Sequence, residues 1–173
     1  LVTTYKRTEL AIKTIQAIKK NLLYENYGWI VVDDGTGGDH LDRLVAEIGS
    51  GYYIFTHDSQ RRGVGHGMNW GLRKTWEIGA EIVLMMEDDW ELTNPLDLKP
   101  YVDTLVKHQE HGLIRFGYLS PGPQANLISE EVKLYWRLEN NGYTYRYAGH
   151  PSLRHRRFHD IYGMFDEGLA PGA

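Results

Sequence analysis

Three adjacent carboxylates, Glu87, Asp88 and Asp89, stand in the stretch LMMEDDWELT. They directly follow EIVLM, an apolar run of the kind that forms a buried strand. Neighbouring carboxylates repel one another, and Mg²⁺ or Mn²⁺ would relieve that repulsion because these cations prefer hard oxygen ligands. The alternative is a solvated turn in which aspartate caps the chain. The position after a buried strand favours the metal site.

A second pair of acids, Asp33 and Asp34, ends the apolar run WIVV and opens the glycine-rich segment DDGTGGD. A carboxylate there can accept a hydrogen bond from a base N–H or a ribose hydroxyl, although turn chemistry would also explain it. Ligands of open α/β sheets bind beyond the carboxyl ends of the strands. Two strands that end in acids therefore predict a ligand site at one edge of a parallel sheet.

The elements that must position these acids alternate between strand and helix patterns, which predicts a parallel sheet with right-handed crossovers. The predicted strands are LVTTY, GWIVVDD, YYIFTH and EIVLMMEDD, and the predicted helices span residues 8–23, 40–49 and a segment ending near 78. Thr8 is the predicted N-cap of the first helix. Further on, the pattern favours a helix over 95–111, a strand in GLIRFGYLS, and strand-like pieces around an Asn-Asn-Gly turn.

Two further segments carry residues that suit phosphate or metal. In QRRGVGHGMNWG, a helix beginning near Gly65 could direct N–H groups at phosphate, and Arg61 and Arg62 could bind it; otherwise the glycines serve a tight turn and close packing. In HPSLRHRRFHD, an imidazole could be a further metal ligand and arginine could hold a diphosphate. The alternative there is a partly solvated basic loop. The histidine spacing matches no recognised zinc motif such as HExxH.

Composition limits the remaining classes of function. The 173 residues suit one domain, and the net charge of −4 argues against nucleic acid as a general partner. Cysteine is absent, which excludes disulfides and thiolate ligands and agrees with a reducing compartment, so the predicted location is cytoplasmic. The sequence contains no apolar run of membrane-spanning length.

Four motifs in this order resemble the family 2 glycosyltransferases of the GT-A fold: LVTTYKR, IVVDDGTGGD, RRGVGHGMNWGL and VLMMEDDW. The resemblance covers residues 1 to about 95 well and continues more loosely through GHPSLRHRRFHDIYGMFDEGL. It implies an α/β Rossmann-like sandwich with a mostly parallel central sheet flanked by helices. Residues 1–173 would form a single domain, with a nucleotide-sugar-binding half at 1–95 and an acceptor-side half at 96–173, truncated at its C terminus.

The resemblance also implies roles for individual residues. TTYKR stands where the family usually has P-T-Y-N-R, so Tyr5 would stack on the base, and Asp33 would contact that base. The full set assigned to the donor nucleotide is Thr4, Tyr5, Arg7, Asp33, Asp34, Arg62, Asn69, Glu87 and Asp88. EDD takes the place of the family's DxD motif, which makes Asp89 the direct ligand of Mn²⁺ or Mg²⁺. His155 and His159 are the further candidate ligands.

The implied reaction is inverting transfer of a sugar from a nucleotide-diphosphate donor, by family habit a UDP-sugar, to the hydroxyl of a saccharide or other acceptor. A carboxylate would remove the acceptor proton. The family's base follows a stretch like GMFDEGL, near the end of this chain, and the candidates in view are Asp160, Asp166 and Glu167. Three alternatives stay open: a nucleotidyltransferase, a catalytically silent nucleotide- or sugar-binding module, and a nucleic-acid binder that uses the RHRR cluster.

Overall fold

The arrangement of strands and helices was obtained from a computed structural model of the chain. The structure describes residues 1–56, 60–116 and 151–168, together with the backbone of two short strands at 127–129 and 136–138. The predicted Asn-Asn-Gly turn at 140–142 and the end of the predicted strand GLIRFGYLS lie outside the described residues.

Strands and helices alternate through the first half of the chain, as predicted. The strands are β1 (Val2–Thr4), β2 (Leu22–Leu23), β3 (Trp29–Asp33), β4 (Tyr52–Thr56), β5 (Ile82–Glu87), β6 (Leu96–Asp97), β7 (Leu113–Arg115), β8 (Leu127–Ser129), β9 (Trp136–Leu138) and β10 (Ser152–His155). The helices are α1 (Thr8–Asn21), α2 (His40–Ile48), α3 (Val64–Glu77), α4 (Lys99–Lys107) and α5 (Arg156–Tyr162). Among the described residues, no helix has both the length and the apolarity to cross a bilayer.

Six strands form the central sheet in the order β4-β3-β1-β5-β10-β7. The four strands β4, β3, β1 and β5 are mutually parallel, and β10 runs antiparallel between β5 and β7. This confirms the predicted α/β fold with a mostly parallel central sheet. Because the parallel strands share one direction, their carboxyl ends meet at one edge of the sheet.

Alternation along β5 places apolar side chains on both faces of the sheet. Val83 and Met85 pack against the buried residues Met68 and Leu72 of α3 on one face. Met86 packs on the other face with core residues of α1 and α2, chiefly Ile15, Ile18, Leu44 and Ile48. The sheet is therefore a rigid, doubly covered platform for the loops that follow its strands.

The histidine- and arginine-rich segment is not a solvated loop. SLRH forms the interior strand β10, and RRFHDIY forms α5. Arg154 is 2% exposed; it donates to the Ser152 hydroxyl at 2.8 Å, and its guanidinium lies 5.0 Å from the centre of the Phe165 ring. Arg157 donates to backbone carbonyls of His108 and His111. Arg154 and Arg157 therefore stabilise the fold, and Arg156 is the exposed arginine of the RHRR cluster.

Two predicted helix boundaries differ from the structure. Thr8 is the first residue of α1 rather than its N-cap, and its hydroxyl instead lies 2.8 Å from the His40 ring. The predicted helix over 95–111 is shortened to α4, because Leu96 and Asp97 pair with β2 and Pro100 lies in the first helical turn. The pairing of β6 with β2 and the contact of Thr8 with His40 join distant segments, which local propensity could not show.

Candidate functional site

The acidic residues of β3 and β5 meet on either side of β1, at the carboxyl edge of the sheet. Thr4 of β1 is in register with Asp33 of β3, and Thr3 is in register with Glu87 of β5. The loop that leaves β1 must therefore pass between the two groups of acids. The predicted convergence of acids from separate strands at one edge is present.

The β1 exit loop contacts the acids through its backbone and through Arg7. The Tyr5 N–H donates to Asp88 at 3.4 Å, and Arg7 Nη1 donates to Asp88 at 3.2 Å and to Asp89 at 2.9 Å. On the other side, the Lys6 N–H donates to the Thr36 hydroxyl at 2.9 Å, and Thr36 in turn donates to Asp33. One short loop thus links the β3 acids to the β5 acids.

Lys6 adopts a left-handed backbone conformation, with φ of 54°. Positive φ is uncommon outside glycine and is better tolerated by asparagine, the residue that the family pattern has at this position. Lys6 retains this conformation because the loop is held at both ends, by Tyr5 on Asp88 and by Lys6 itself on Thr36. The backbone strain at Lys6 indicates that these contacts impose the shape of the β1 exit loop.

The three β5 carboxylates differ in exposure and in charge balance. Asp88 is buried, with a side chain 6% exposed, whereas the Asp89 side chain is 44% exposed. Burial, followed by repulsion from Asp89 and Asp88, raises the pKa of Glu87 to about 7. Arg7 opposes that shift, but one guanidinium cannot balance three carboxylates. The cluster therefore keeps an excess of negative charge, which a further cation would neutralise.

Glu87→Gln is expected to remove a pH dependence of stability in metal-free protein. Because the pKa of Glu87 is raised from 4.5 to about 7 in the native state, the native protein holds a proton that the unfolded chain has lost. The free energy of unfolding of the wild type should therefore fall as pH rises between those values, by about 1–3 kcal/mol. Denaturant unfolding in EDTA at pH 4.5 to 8 measures this.

The variant should lose that decline, and its gain over the wild type should grow across the same pH window. Glu77→Gln, which removes an exposed carboxylate of α3, is the control and should leave the decline intact. If Glu87→Gln shows the same decline as the wild type, the charge balance described for the cluster is wrong.

Asp33 is fully enclosed at the end of β3. Its carboxylate accepts hydrogen bonds from the Thr36 N–H at 2.9 Å and from the Thr56 hydroxyl at 2.9 Å, and it is 0% exposed. The His40 ring lies 3.7 Å away, and burial lowers the pKa of that histidine, with Asp33 opposing the shift. Asp33 therefore holds the DDGT turn, and its buried carboxylate is not exposed to a ligand at the sheet edge.

Asp34 holds the loop that leads into α3. Its carboxylate accepts the backbone N–H groups of Arg62 at 2.7 Å and Gly63 at 2.8 Å, and its own N–H donates to the Thr4 carbonyl. Gly63, directly before α3, has φ of 93°, which strongly favours glycine. The exposed side chain of Arg62 is thereby placed at the same edge of the sheet as the acids.

Two cations lie close to the Tyr5 ring at the carboxyl edge. The Arg61 guanidinium is 4.9 Å from the centre of its ring, and the Lys6 ammonium is 5.2 Å away. Arg61 Nε is also 3.9 Å from Asp34. An aromatic face flanked by positive charge suits a stacked base followed by phosphates.

The segment after α5 returns to the amino-terminal half of α3, where Asn69 and Glu167 dock it. Asn69 is buried; its amide donates to Glu167 at 2.7 Å and to the Phe165 carbonyl at 2.9 Å, and its oxygen accepts the Phe165 N–H. Glu167 also contacts His66 at 2.8 Å and Arg73 at 3.2 Å. Asn69 therefore holds this return segment, and its side chain is engaged there.

Other predicted residues lie away from the acidic edge. His155 is in register with Ile82, the first residue of β5, so about 17 Å of strand separates it from Glu87. His159 is buried 6.5 Å from the Trp76 ring at the end of α3, and its Nδ1 lies 3.0 Å from the Gly163 carbonyl. Asp160 is exposed on α5, 3.9 Å from Arg156. The structure does not assemble His155 and His159 with Asp89 as one metal site.

Several residues that support the site carry little or no signal in the sequence. Thr56 and His40 contact Asp33 from separate segments, which no local motif shows, whereas Thr36 belongs to the DDGT turn itself. His66 and Arg73 did carry a signal, since their spacing around Asn69 puts all three on one face of a helix. Arg61 is predicted to bind phosphate, and its position over the Tyr5 ring follows from the fold.

Ligands of open, mostly parallel α/β sheets bind at the carboxyl edge, where this chain carries its acids and the Tyr5 loop. The sequence model of glycosyl transferase family 2 matches residues 1–161, so the chain belongs to that family. No curated protein sequence matches the chain.

Solved structures agree with this fold. The crystal structure of S. aureus TarS 1-349 has a TM-score of 0.67 and 17% identity, over 99% of this chain and 50% of that chain. The crystal structure of S. aureus TarS 1-349 in complex with UDP has a TM-score of 0.51 and 14% identity, over 70% of this chain and 36% of that chain. The chain spans half the length of these relatives or less. The similarity confirms the predicted GT-A type of fold.

Proposed function

We propose that this domain is a metal-dependent glycosyltransferase that moves a sugar from a nucleotide-diphosphate donor, by preference a UDP-sugar, to an acceptor hydroxyl with inversion. The observation that carries the proposal is the Glu87–Asp88–Asp89 cluster, held by the β1 exit loop at the carboxyl edge of the sheet. Membership of glycosyl transferase family 2 and the UDP complex of TarS support it. Residues 1–95 would hold the donor, and 96–173 would face the acceptor.

The donor set at this edge fits a hard divalent cation. It consists of carboxylate oxygens. Asp89 is the more exposed of the two aspartates in the cluster, while Asp88 is fixed by hydrogen bonds from Tyr5 and Arg7. Asp89 would therefore be the ligand of Mn²⁺ or Mg²⁺, with Asp88 holding the loop beside it. The cation, when bound, supplies Lewis-acid stabilisation of the charge that develops on the leaving diphosphate.

The residues around the cluster suit the rest of the donor. Tyr5 would stack on the base, and the Arg61 guanidinium, 4.9 Å from the centre of the Tyr5 ring, would add positive charge beside it. Arg7 and Arg62 would supply positive charge to the diphosphate. Asp33 and Asp34 would act as positioning residues, because their carboxylates already hold the DDGT turn and the loop that leads into α3.

The electrostatic surroundings of Glu167 argue against this residue as the catalytic base. Hydrogen bonds from Asn69 and His66, together with Arg73, lower the pKa of Glu167 to about 2. A carboxylate with so low a pKa is a weak proton acceptor, since a general base works best with a pKa near the operating pH. Glu167 would therefore position the return segment. Asp166, which is exposed beside the first turn of α3, is the proposed base. Asp160 is exposed on α5, which begins after His155 at the opposite edge of the sheet from Glu87, and it is therefore poorly placed for this role.

Turnover of nucleotide-diphosphate sugars with and without Mn²⁺ tests the proposal. A glycosyltransferase is expected to release free nucleoside diphosphate from the matching donor, by transfer or by slow hydrolysis, and EDTA should abolish the release. Binding of the donor without any release would instead indicate a silent binding module. Release of pyrophosphate from a nucleoside triphosphate and a sugar phosphate would indicate a nucleotidyltransferase.

Tyr5→Ala is expected to weaken the binding of UDP, because it removes the aromatic face at the exit of β1. Stacking of a base on an aromatic ring contributes about 1–3 kcal/mol, so Kd should rise about 5- to 150-fold. Tyr5→Phe keeps the ring and should bind nearly as tightly as the wild type. Isothermal titration calorimetry with Mn²⁺ measures both, and equal affinity of Tyr5→Ala and the wild type would exclude the stacking role.

A further inference from the structure

A second group of metal-ligating side chains lies at the opposite edge of the sheet from the acids. His108, Glu110 and His111 occupy the loop between the end of α4 and the start of β7. Gly112, the next residue, accepts the N–H of His155, and His155 is in register with the first residue of β5. The loop therefore lies at the amino end of β5, whereas Glu87 is at its carboxyl end.

The ligand atoms of this group are already close together. One ligand atom from each of the three residues lies within 4.8 Å of the others. His108 Nδ1 is 3.2 Å from Glu110 Oε1, and His111 Nε2 is 4.0 Å from the same oxygen. Two ligands bound about 2.1 Å from a tetrahedral ion lie about 3.4 Å apart, so only small side-chain movements would be needed.

The backbone of the loop is held in place independently of any metal. Arg157 of α5 donates to the His111 carbonyl at 2.7 Å and to the His108 carbonyl at 3.2 Å, and it also contacts the Leu105 carbonyl. The His111 N–H donates to the His108 carbonyl at 3.0 Å. A fixed backbone reduces the conformational entropy that is lost when a metal binds, as in preorganised metal sites.

We propose that His108, Glu110 and His111 form a binding site for a transition-metal ion of the Zn²⁺ class, separate from the donor site. Two imidazoles and one carboxylate, with water in the fourth position, are a ligand set that suits Zn²⁺, Ni²⁺ or Cu²⁺. The carboxylate cluster at the other edge suits Mg²⁺ and Mn²⁺ instead. The ion would connect the end of α4 to the start of β7 and stabilise the sheet edge.

Zn²⁺ itself is the probe, added to the whole chain after treatment with EDTA. A hundredfold excess over Kd is expected to raise Tm by about 5–10 °C. Gln109→Ala is the matched control, since Gln109 is exposed in the same loop and carries no metal ligand. Asp89→Asn is a second control, which tests whether the response to Zn²⁺ depends on the carboxylate cluster at the other edge of the sheet. Both variants should respond to Zn²⁺ as the wild type does.

The ligand variants should lose the response. His108→Gln, Glu110→Gln and His111→Gln are each expected to weaken Zn²⁺ binding at least tenfold by calorimetry, and Co²⁺ should give tetrahedral absorption bands only where both histidines remain. Full Zn²⁺ affinity in the double variant His108→Gln/His111→Gln would overturn the proposal. So would loss of binding in Asp89→Asn alone, or no binding by the wild type below 100 µM, on the order of the weakest affinity a specific site would show.

Discussion

Asp89→Asn is expected to lower Mn²⁺-dependent release of nucleoside diphosphate from the sugar donor by about a thousandfold. That factor corresponds to about 4 kcal/mol of transition-state stabilisation, the order of magnitude for a Lewis-acid contribution. The reason is structural: Asp89 is the exposed aspartate of the cluster, and Arg7 is its partner in the protein. Steady-state turnover at saturating Mn²⁺ measures the effect.

The same substitution should hardly alter stability without metal. Asp89 makes a partly exposed pair with Arg7, and such pairs contribute about 0–1 kcal/mol. Glu77→Gln serves as the control, because it removes one negative charge from the exposed C-terminal end of α3. Its activity is expected to remain at the wild-type level. Full activity of folded Asp89→Asn would show that this residue is not the metal ligand.

Gly65→Ala is expected to displace the return segment from α3 and to lower the free energy of unfolding by about 1–3 kcal/mol. A Cβ at position 65 would lie 2.1 Å from the backbone carbonyl oxygen of Asp166, a contact that no side-chain rotation can relieve. Displacement would also break the hydrogen bonds of Asn69 and Glu167 that hold this segment. Denaturant unfolding measures the loss.

Gly67→Ala, two residues further along the same helix, is the matched control. Its Cβ would lie 3.7 Å from Val32 Cγ1, an ordinary van der Waals distance. Since alanine favours helix over glycine by about 1 kcal/mol, this variant should be as stable as the wild type or more stable. Equal stability of the two variants would mean that the return segment does not pack on Gly65.

The alternation of strands and helices, and the acids at the carboxyl edge, could be predicted from the sequence because both are local patterns. WIVVDD and IVLMMEDD each combine a buried strand with the acids that end it. A parallel sheet then has only one edge at which these acids can meet. The exposure that distinguishes Asp88 from Asp89 is a tertiary property and could not be read from the stretch EDD.

The segment from His150 to Asp160 shows why the rest could not be predicted. SLRH has a buried arginine in an interior strand, and a strand of four residues with two basic side chains resembles a loop in sequence. Only pairing with β5 and β7 makes it a strand. The histidines of this segment were expected beside Asp89, and the antiparallel direction of β10 instead carries His155 to the opposite edge.

Asp33 illustrates a different difficulty. Its place at the carboxyl end of β3 was predicted correctly, but its partners come from the turn, from β4 and from α2. A sequence motif identifies the residue and the strand that carries it. It does not show whether the carboxylate is already engaged in hydrogen bonds with neighbouring groups. Tyr5, Arg7 and Asp89 are less buried than Asp33 at the same edge, and they therefore stay the residues proposed to face the donor.

The most direct test of the central claim is calorimetric titration of the protein with UDP in Mn²⁺ and, separately, in EDTA. If the carboxylates at the sheet edge hold a cation that binds a diphosphate, UDP should bind at least tenfold more tightly with Mn²⁺, and Asp89→Asn should remove that difference. Equal affinity of the wild type for UDP under both conditions would contradict the claim.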